Sequence, residues 1–146
     1  MIGLYLHQLW DPERQVRLHS AHLIVALEQK DWPDVKEFLD ASYTDQWGHD
    51  QTSVVTRLRQ VLPYARNLRI QTREIPIVRV ADGEGEWSAR ITLEGDPNEV
   101  SALIKQRINA LEEPFELRWR HGSRKPWDWK LLRVTNASLE LPSAGY

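Results

Sequence analysis

The sequence predicts an α+β fold, with helices first and an antiparallel sheet after them. Three observations carry this. Apolar residues recur at helical spacing up to about residue 62, with Val16, Leu23 and Leu27 and then Val54, Val55, Leu58, Val61 and Leu62 on common faces. From Leu68 the period drops to two, since Leu68, Ile70 and Thr72 alternate with Arg69, Gln71 and Arg73. Two turn-rich stretches, Asp82-Gly83-Glu84-Gly85 and His121 to Pro126, each sit between alternating runs, as the tips of hairpins do.

Each element follows from local chemistry. Asp11-Pro12-Glu13 opens a helix from about residue 12 to about residue 30, because Asp can cap free N–H groups and Pro costs nothing in the first turn. Trp32-Pro33 interrupts it, and Pro33 opens a short second helix through Val35, Phe38 and Leu39. Ser42 to Trp47 alternates and is expected to be a strand ended by Gly48. Asp50 or Thr52 caps the third helix, which stops near Pro63. At Glu74-Ile75-Pro76-Ile77 the apolar phase slips by one residue, which predicts a bulge or bend before Val78 and Val80. Trp87, Ala89, Ile91 and Leu93 return as the second strand, and a helix spans about residues 97 to 112 before Pro114. Phe115 to His121 and Trp127 to Thr135 form the last hairpin, with Leu139 and Leu141 as an extension of its second strand. With no repeat, linker or low-complexity stretch, residues 1–146 are expected to be one domain.

Composition narrows the function. A chain of 146 residues buries roughly 68% of its unfolded surface, so it needs no staple. The absence of Cys removes thiol nucleophiles, disulfides, zinc knuckles and iron–sulfur clusters. A net charge of -2 and the lack of a basic run argue against nucleic acid. The opening Met1 to Leu6 is apolar but short, no run approaches a membrane span, and the acidic Asp82–Glu86 turn cannot cradle phosphate. No dinucleotide, P-loop or nucleophile-elbow motif occurs, and no cofactor is expected. The compartment stays open: a soluble chain suits the cytoplasm, and a precursor segment before residue 1 is compatible with it.

The run Ala26-Leu27-Glu28-Gln29-Lys30-Asp31-Trp32-Pro33-Asp34-Val35-Lys36-Glu37-Phe38-Leu39-Asp40, followed by the extended Tyr43 to Trp47, Gly48, a third helix and curved hairpins, resembles the NTF2-like superfamily, including its SnoaL-like and ketosteroid-isomerase-like branches. The resemblance implies a cone in which N-terminal helices pack in the concave face of a strongly curved antiparallel sheet, with a pocket at the open end. The helix at about 97 to 112 departs from it, since many members have a short loop there. In the ketosteroid-isomerase pattern a tyrosine on the first helix donates and a carboxylate on the first strand is the base. Here those positions hold Leu23, with His22 beside it, and Trp47, with Asp45 two residues earlier. The resemblance therefore suggests Asp45 as a conceivable base and His22 or Tyr43 as a donor, with Tyr43, Trp47, His49, Leu23 and Trp119 lining a semi-apolar pocket. The plainer expectation for Asp45 is a hydrogen-bonded carboxylate at a strand end.

The five histidines, His7, His19, His22, His49 and His121, include no H-x-x-x-H or H-E-x-x-H pair, so no metal site is expected, although His19 and His22 could share a side of the first helix. Of the seven Trp, Trp47, Trp87, Trp119, Trp127 and Trp129 fall on expected strands or their ends. They suit a flat apolar ligand or a dimer contact, and Trp87 and Trp119 suit ordinary core filling. Arg69, Arg73, Arg90, Arg118, Arg120 and Arg133 could bind an anion on one sheet face or, as is favoured, pair with Glu74, Glu94 and Glu116 across strands. The resemblance implies that such a mixed polar outer sheet face forms a homodimer. The favoured reading is a non-catalytic small-ligand-binding or dimeric assembly module. The alternative is a cofactor-independent proton-transfer enzyme, an isomerase, dehydratase or cyclase, acting on a small apolar substrate with Asp45 as base.

Overall fold

The computed structural model of the chain describes residues 11–139. The apolar start, His7 and Leu141 lie outside the described residues. Helix α1 (Pro12–Glu28) begins where Asp11 accepts from the backbone N–H of Glu13 and Arg14, with Pro12 in the first turn. Its buried stripe is Gln15, Val16, Ser20, Leu23 and Ala26. Helix α2 (Trp32–Phe38) is capped by Asp31, which accepts from Asp34 N, so it starts one residue before Pro33. Helix α3 (Gln51–Val61) opens on a capping box between Asp50 and Ser53 and ends in a 3-10 turn, Leu62–Tyr64.

Between α2 and α3 the expected strand over Ser42–Trp47 is absent. The segment makes isolated bridges only, Leu39 with Leu131 and Thr44 with Asp50. Asp40 N and Thr44 N donate to Leu131 O and Leu132 O at 2.9 and 3.1 Å, so it lies against the sheet without forming a ladder. The alternation in the sequence reflects Tyr43 and Asp45 turning inward, not strand pairing.

The strands are β1 (Arg69–Thr72), β2 (Ile77–Ala81), β3 (Glu84–Ala89), β4 (Ile91–Glu94), β5 (Phe115–His121) and β6 (Trp129–Thr135). All pairs are antiparallel, in the orders β1-β4 and β2-β3-β5-β6. The first hairpin is thus one ribbon broken in the middle: β1 and β2 are interrupted at Arg73–Pro76, opposite Arg90, and Arg73 N still donates to Arg90 O at 2.9 Å. This is the bend that the phase slip and Pro76 predict, and it curves the sheet. The hairpin tip is only Asp82-Gly83, with φ of 52° and 76°, a pair of left-handed residues that matches strand twist. Gly85 belongs to β3 instead. It pairs with Trp119, and a Cβ there would lie 2.4 Å from Val16 Cγ2, so the glycine lets α1 lie directly on the sheet. Strand β6 ends at Thr135, and Leu139 is buried outside it.

The main core joins Val16, Leu23, Ala26 and Val35 from the helices to Trp87, Trp119, Trp129 and Leu131 from the sheet. Helix α4 (Glu99–Asn109), capped by Asn98, covers a second cluster of Ala65, Leu68 and Leu93 with Ile104 and Ile108. Asn109 donates to Leu93 O at 3.2 Å and accepts from Leu93 N at 2.7 Å, so its amide occupies the backbone groups on the free side of β4. Among the described residues no helix is long and apolar enough to cross a membrane.

Candidate functional site

Asp45 is the centre of the predicted pocket, and its carboxylate is fully buried. Oδ1 accepts from Trp47 N at 3.1 Å and His49 N at 3.0 Å, with His49 Nδ1 3.5 Å away, and Oδ2 accepts from the Tyr43 hydroxyl at 3.0 Å. Asp45 N and O also close the turn, bonding His49 O and Gly48 N at 3.2 Å each, with Gly48 at φ 85°. Burial first, and then the adjacent Asp45 charge and hydrogen bond, push the Tyr43 hydroxyl far above its ordinary range, which keeps it a neutral donor. Trp47 Nε1 donates to Leu139 O at 3.0 Å, and the Gln46 amide bonds Asn136 N and O at 2.9 and 2.8 Å, fastening the turn to the chain after β6. A carboxylate with both oxygens so engaged holds a loop shape; it has no lone pair aimed at open space.

Tyr43, Trp47 and His49 thus meet at Asp45, whereas His22, Leu23 and Trp119 make no bond to it. His22 is exposed on α1, whereas Leu23 faces inward at 4% exposure. Tyr43 is 2% and Trp119 0% exposed, and the Trp119 indole donates to Ser20 Oγ at 3.0 Å. Trp119, Trp129 and Tyr43 all belong to the main buried core. The pairing of His22 with Asp45 is not formed, because helix phase turns His22 to solvent while the 45–49 turn closes over Asp45.

A cleft of about 340 Å³ lies elsewhere, between α1, α2 and the β5–β6 turn, lined by His19, Asp34, Glu37, Phe38, Lys125, Trp127, Asp128, Trp129 and Lys130. Apart from His19, Trp127 and Trp129, sequence reasoning gave these residues no part in a site. The signal was the run Trp127-Asp128-Trp129 between Lys125 and Lys130 at a hairpin tip, where solubility alone calls for no indole. His19 Nδ1 and Nε2 lie 2.8 Å from Gln15 O and 3.0 Å from Trp127 O. Burial lowers the His19 pKa from its ordinary value, outweighing the two carbonyls that favour the imidazolium, and His22 and Lys130 push the same way as burial. Among the described residues no three His, Asp or Glu side chains gather as metal ligands.

The convex sheet face is polar. Register places Arg79, Glu86, Arg118 and Arg133 in one row across β2, β3, β5 and β6. Arg118 reaches Glu86 at 3.8 Å, and Arg120 reaches Asp40 at 3.1 Å.

No protein-family model matches the sequence. No curated protein matches it either. Solved structures do. Bd1075 of Bdellovibrio bacteriovorus superposes with a TM-score of 0.63 at 11% identity over 88% of this chain, which spans 41% of that protein's length. A candidate ketosteroid isomerase from Shewanella frigidimarina gives 0.63 at 12% identity, covering 87% of this chain and 98% of that one. An NTF2-like protein of unknown function from Pseudomonas putida gives 0.62 at 8% identity, covering 84% and 82%. Such identities speak to architecture alone. The chain has the NTF2-like α+β cone fold.

Proposed function

We propose that this chain is a non-catalytic assembly module that works as a single domain and as a homodimer through the convex face of its four-stranded sheet. The observation that supports the non-catalytic reading is the burial of the large aromatic residues: Trp119 at 0%, Tyr43 at 2% and Trp129 at 3% exposure pack in the core, whereas an enzyme needs a cavity with converging polar groups. Asp45, the carboxylate two residues before the base position, spends both oxygens on its own turn and on Tyr43.

The convex face supports the dimer. Arg118 and Arg133 are direct cross-strand partners, a like-charge pair that is unfavourable unless acids surround it. Glu86 and Glu116 flank them in a shallow groove with Thr135. A two-fold axis through this face sets the acids of one copy against the arginines of the other, which turns a repulsive row into a self-complementary surface. Light scattering after size exclusion tests this with Arg118→Glu, a surface change that leaves the core untouched. Wild type is expected at twice the chain mass and the variant at or near one. A wild-type monomer, or a dimer indifferent to Arg118→Glu, overturns the proposal.

A further inference from the structure

The turn between β5 and β6 is held more firmly than a solvent-exposed loop requires. Trp127 O faces His19 Nε2 at 3.0 Å, Lys125 O faces His121 Nε2 at 2.5 Å, Pro126 O accepts from Trp129 Nε1 at 3.1 Å, and Gly122 N donates to Asp128 O at 2.8 Å. The His121 ring stacks on Trp129 at 5.0 Å and 16°, and His19 meets Trp119 and Phe38 edge-on. This frame presents Trp127, a residue 55% exposed, at the rim of the 340 Å³ cleft. Fixing the backbone at Trp127 this way leaves little loop entropy to lose when something stacks on the indole.

The charges around it select the ligand class. Asp34 and Glu37 stand three residues apart on α2, so they share a side of the helix, and Asp128 faces them from the turn with Lys125 and Lys130. None of the three carboxylates forms an ion pair with a described residue, and Lys130 Nζ is engaged with Glu37 O at 2.6 Å. A ligand of either net charge is attracted by one of these sets and repelled by the other. A neutral ligand rich in hydroxyls engages both, because each hydroxyl can donate to a carboxylate and accept from an ammonium. The C–H face of a sugar ring is the matching partner for an indole face, and the volume is at the small end of ligand pockets, roughly 300–1,000 Å³. We propose that this cleft binds a neutral saccharide, with Trp127 as the stacking platform and Asp34, Glu37 and Asp128 as hydroxyl acceptors. The cleft lies on the helical side of the sheet, so the inference does not rest on the convex-face dimer.

The test is a glycan array carrying neutral, sialylated and sulfated oligosaccharides, probed with the full chain, followed by calorimetric titration of the strongest neutral glycan. Retention of neutral glycans is expected, with Trp127→Ala weakening the titrated one at least about tenfold. Asp34→Ala is expected to weaken it several-fold, with the far-ultraviolet circular dichroism of both variants unchanged. Retention of no glycan, retention of charged glycans alone, or equal affinity in Trp127→Ala and Asp34→Ala overturns the proposal.

Discussion

Replacing Asp45 should unfold the protein more easily without creating or abolishing chemistry, and the structure sets the size of the effect. Asp45→Ala deletes the acceptor of three hydrogen bonds, from Trp47 N, His49 N and the Tyr43 hydroxyl, and leaves that hydroxyl buried at a residue 2% exposed. A bond to a charged acceptor contributes about 1.5–3 kcal/mol, and a stranded buried donor costs about 1–3 kcal/mol. Part of the turn relaxes toward water, so the expected loss is about 3–4 kcal/mol rather than the full sum. With a urea slope of about 1.5 kcal/mol/M, the unfolding midpoint falls by about 2 M. Asp45→Asn keeps an oxygen for the two backbone donors while the Tyr43 hydroxyl reverses to accept, and should cost about 1 kcal/mol. Tyr43→Phe strips one donor from the buried carboxylate, and its double-mutant cycle with Asp45→Asn should give a coupling of about 0.5–3 kcal/mol. Urea denaturation followed by circular dichroism measures all of these. An Asp45→Ala midpoint equal to wild type, with no coupling to Tyr43, refutes the structural role and restores Asp45 as a free carboxylate.

Other expectations follow from the same contacts. Gly85→Ala drives a Cβ to 2.4 Å from Val16 Cγ2, and because a β-branched side chain on a helix has one good rotamer, it should cost about 1–3 kcal/mol, relieved by adding Val16→Ala, with thermal unfolding as the readout. Ser20→Ala removes the acceptor of the fully buried Trp119 indole, so it should lower stability by about 1–3 kcal/mol, whereas Ser20→Thr should retain most of it. His19 binds a proton less readily in the folded chain than its ordinary pKa of 6.5 implies, so its contribution is complete above that value and lost as pH falls through the lower folded value. Unfolding midpoints measured from neutral pH downward should therefore decline below about pH 6.5, and His19→Gln should flatten that decline. A slope unchanged by the substitution would assign it to another group.

Much of the fold could be read from local chemistry, because helix caps and strand periods are encoded within a few residues. Asp11 with Pro12, the Asp50 cap and the bend at Pro76 all act through neighbours in sequence, and each stands where those neighbours place it. The segment 42–47 misled because inward and outward alternation also arises in a loop folded on a buried carboxylate, and no local signal separates that from a strand. The turn at Asp82 is two residues shorter than its glycines suggest, because Gly85 serves packing against Val16 on α1, a contact 69 residues away. The site was less legible. Whether an inward Trp lines a cavity or fills it depends on what faces it, and only the assembled core shows Ser20 meeting Trp119 and Tyr43 meeting Asp45. The cleft draws residues from α1, α2 and the last hairpin, and no one stretch of sequence holds more than a share of it.

The central claim is a two-fold assembly around an interior that holds no ligand, and native mass spectrometry of the protein as purified tests both halves in one spectrum. The account predicts the mass of two chains with no apolar small molecule retained. A single chain, or one apolar molecule bound per chain, contradicts it.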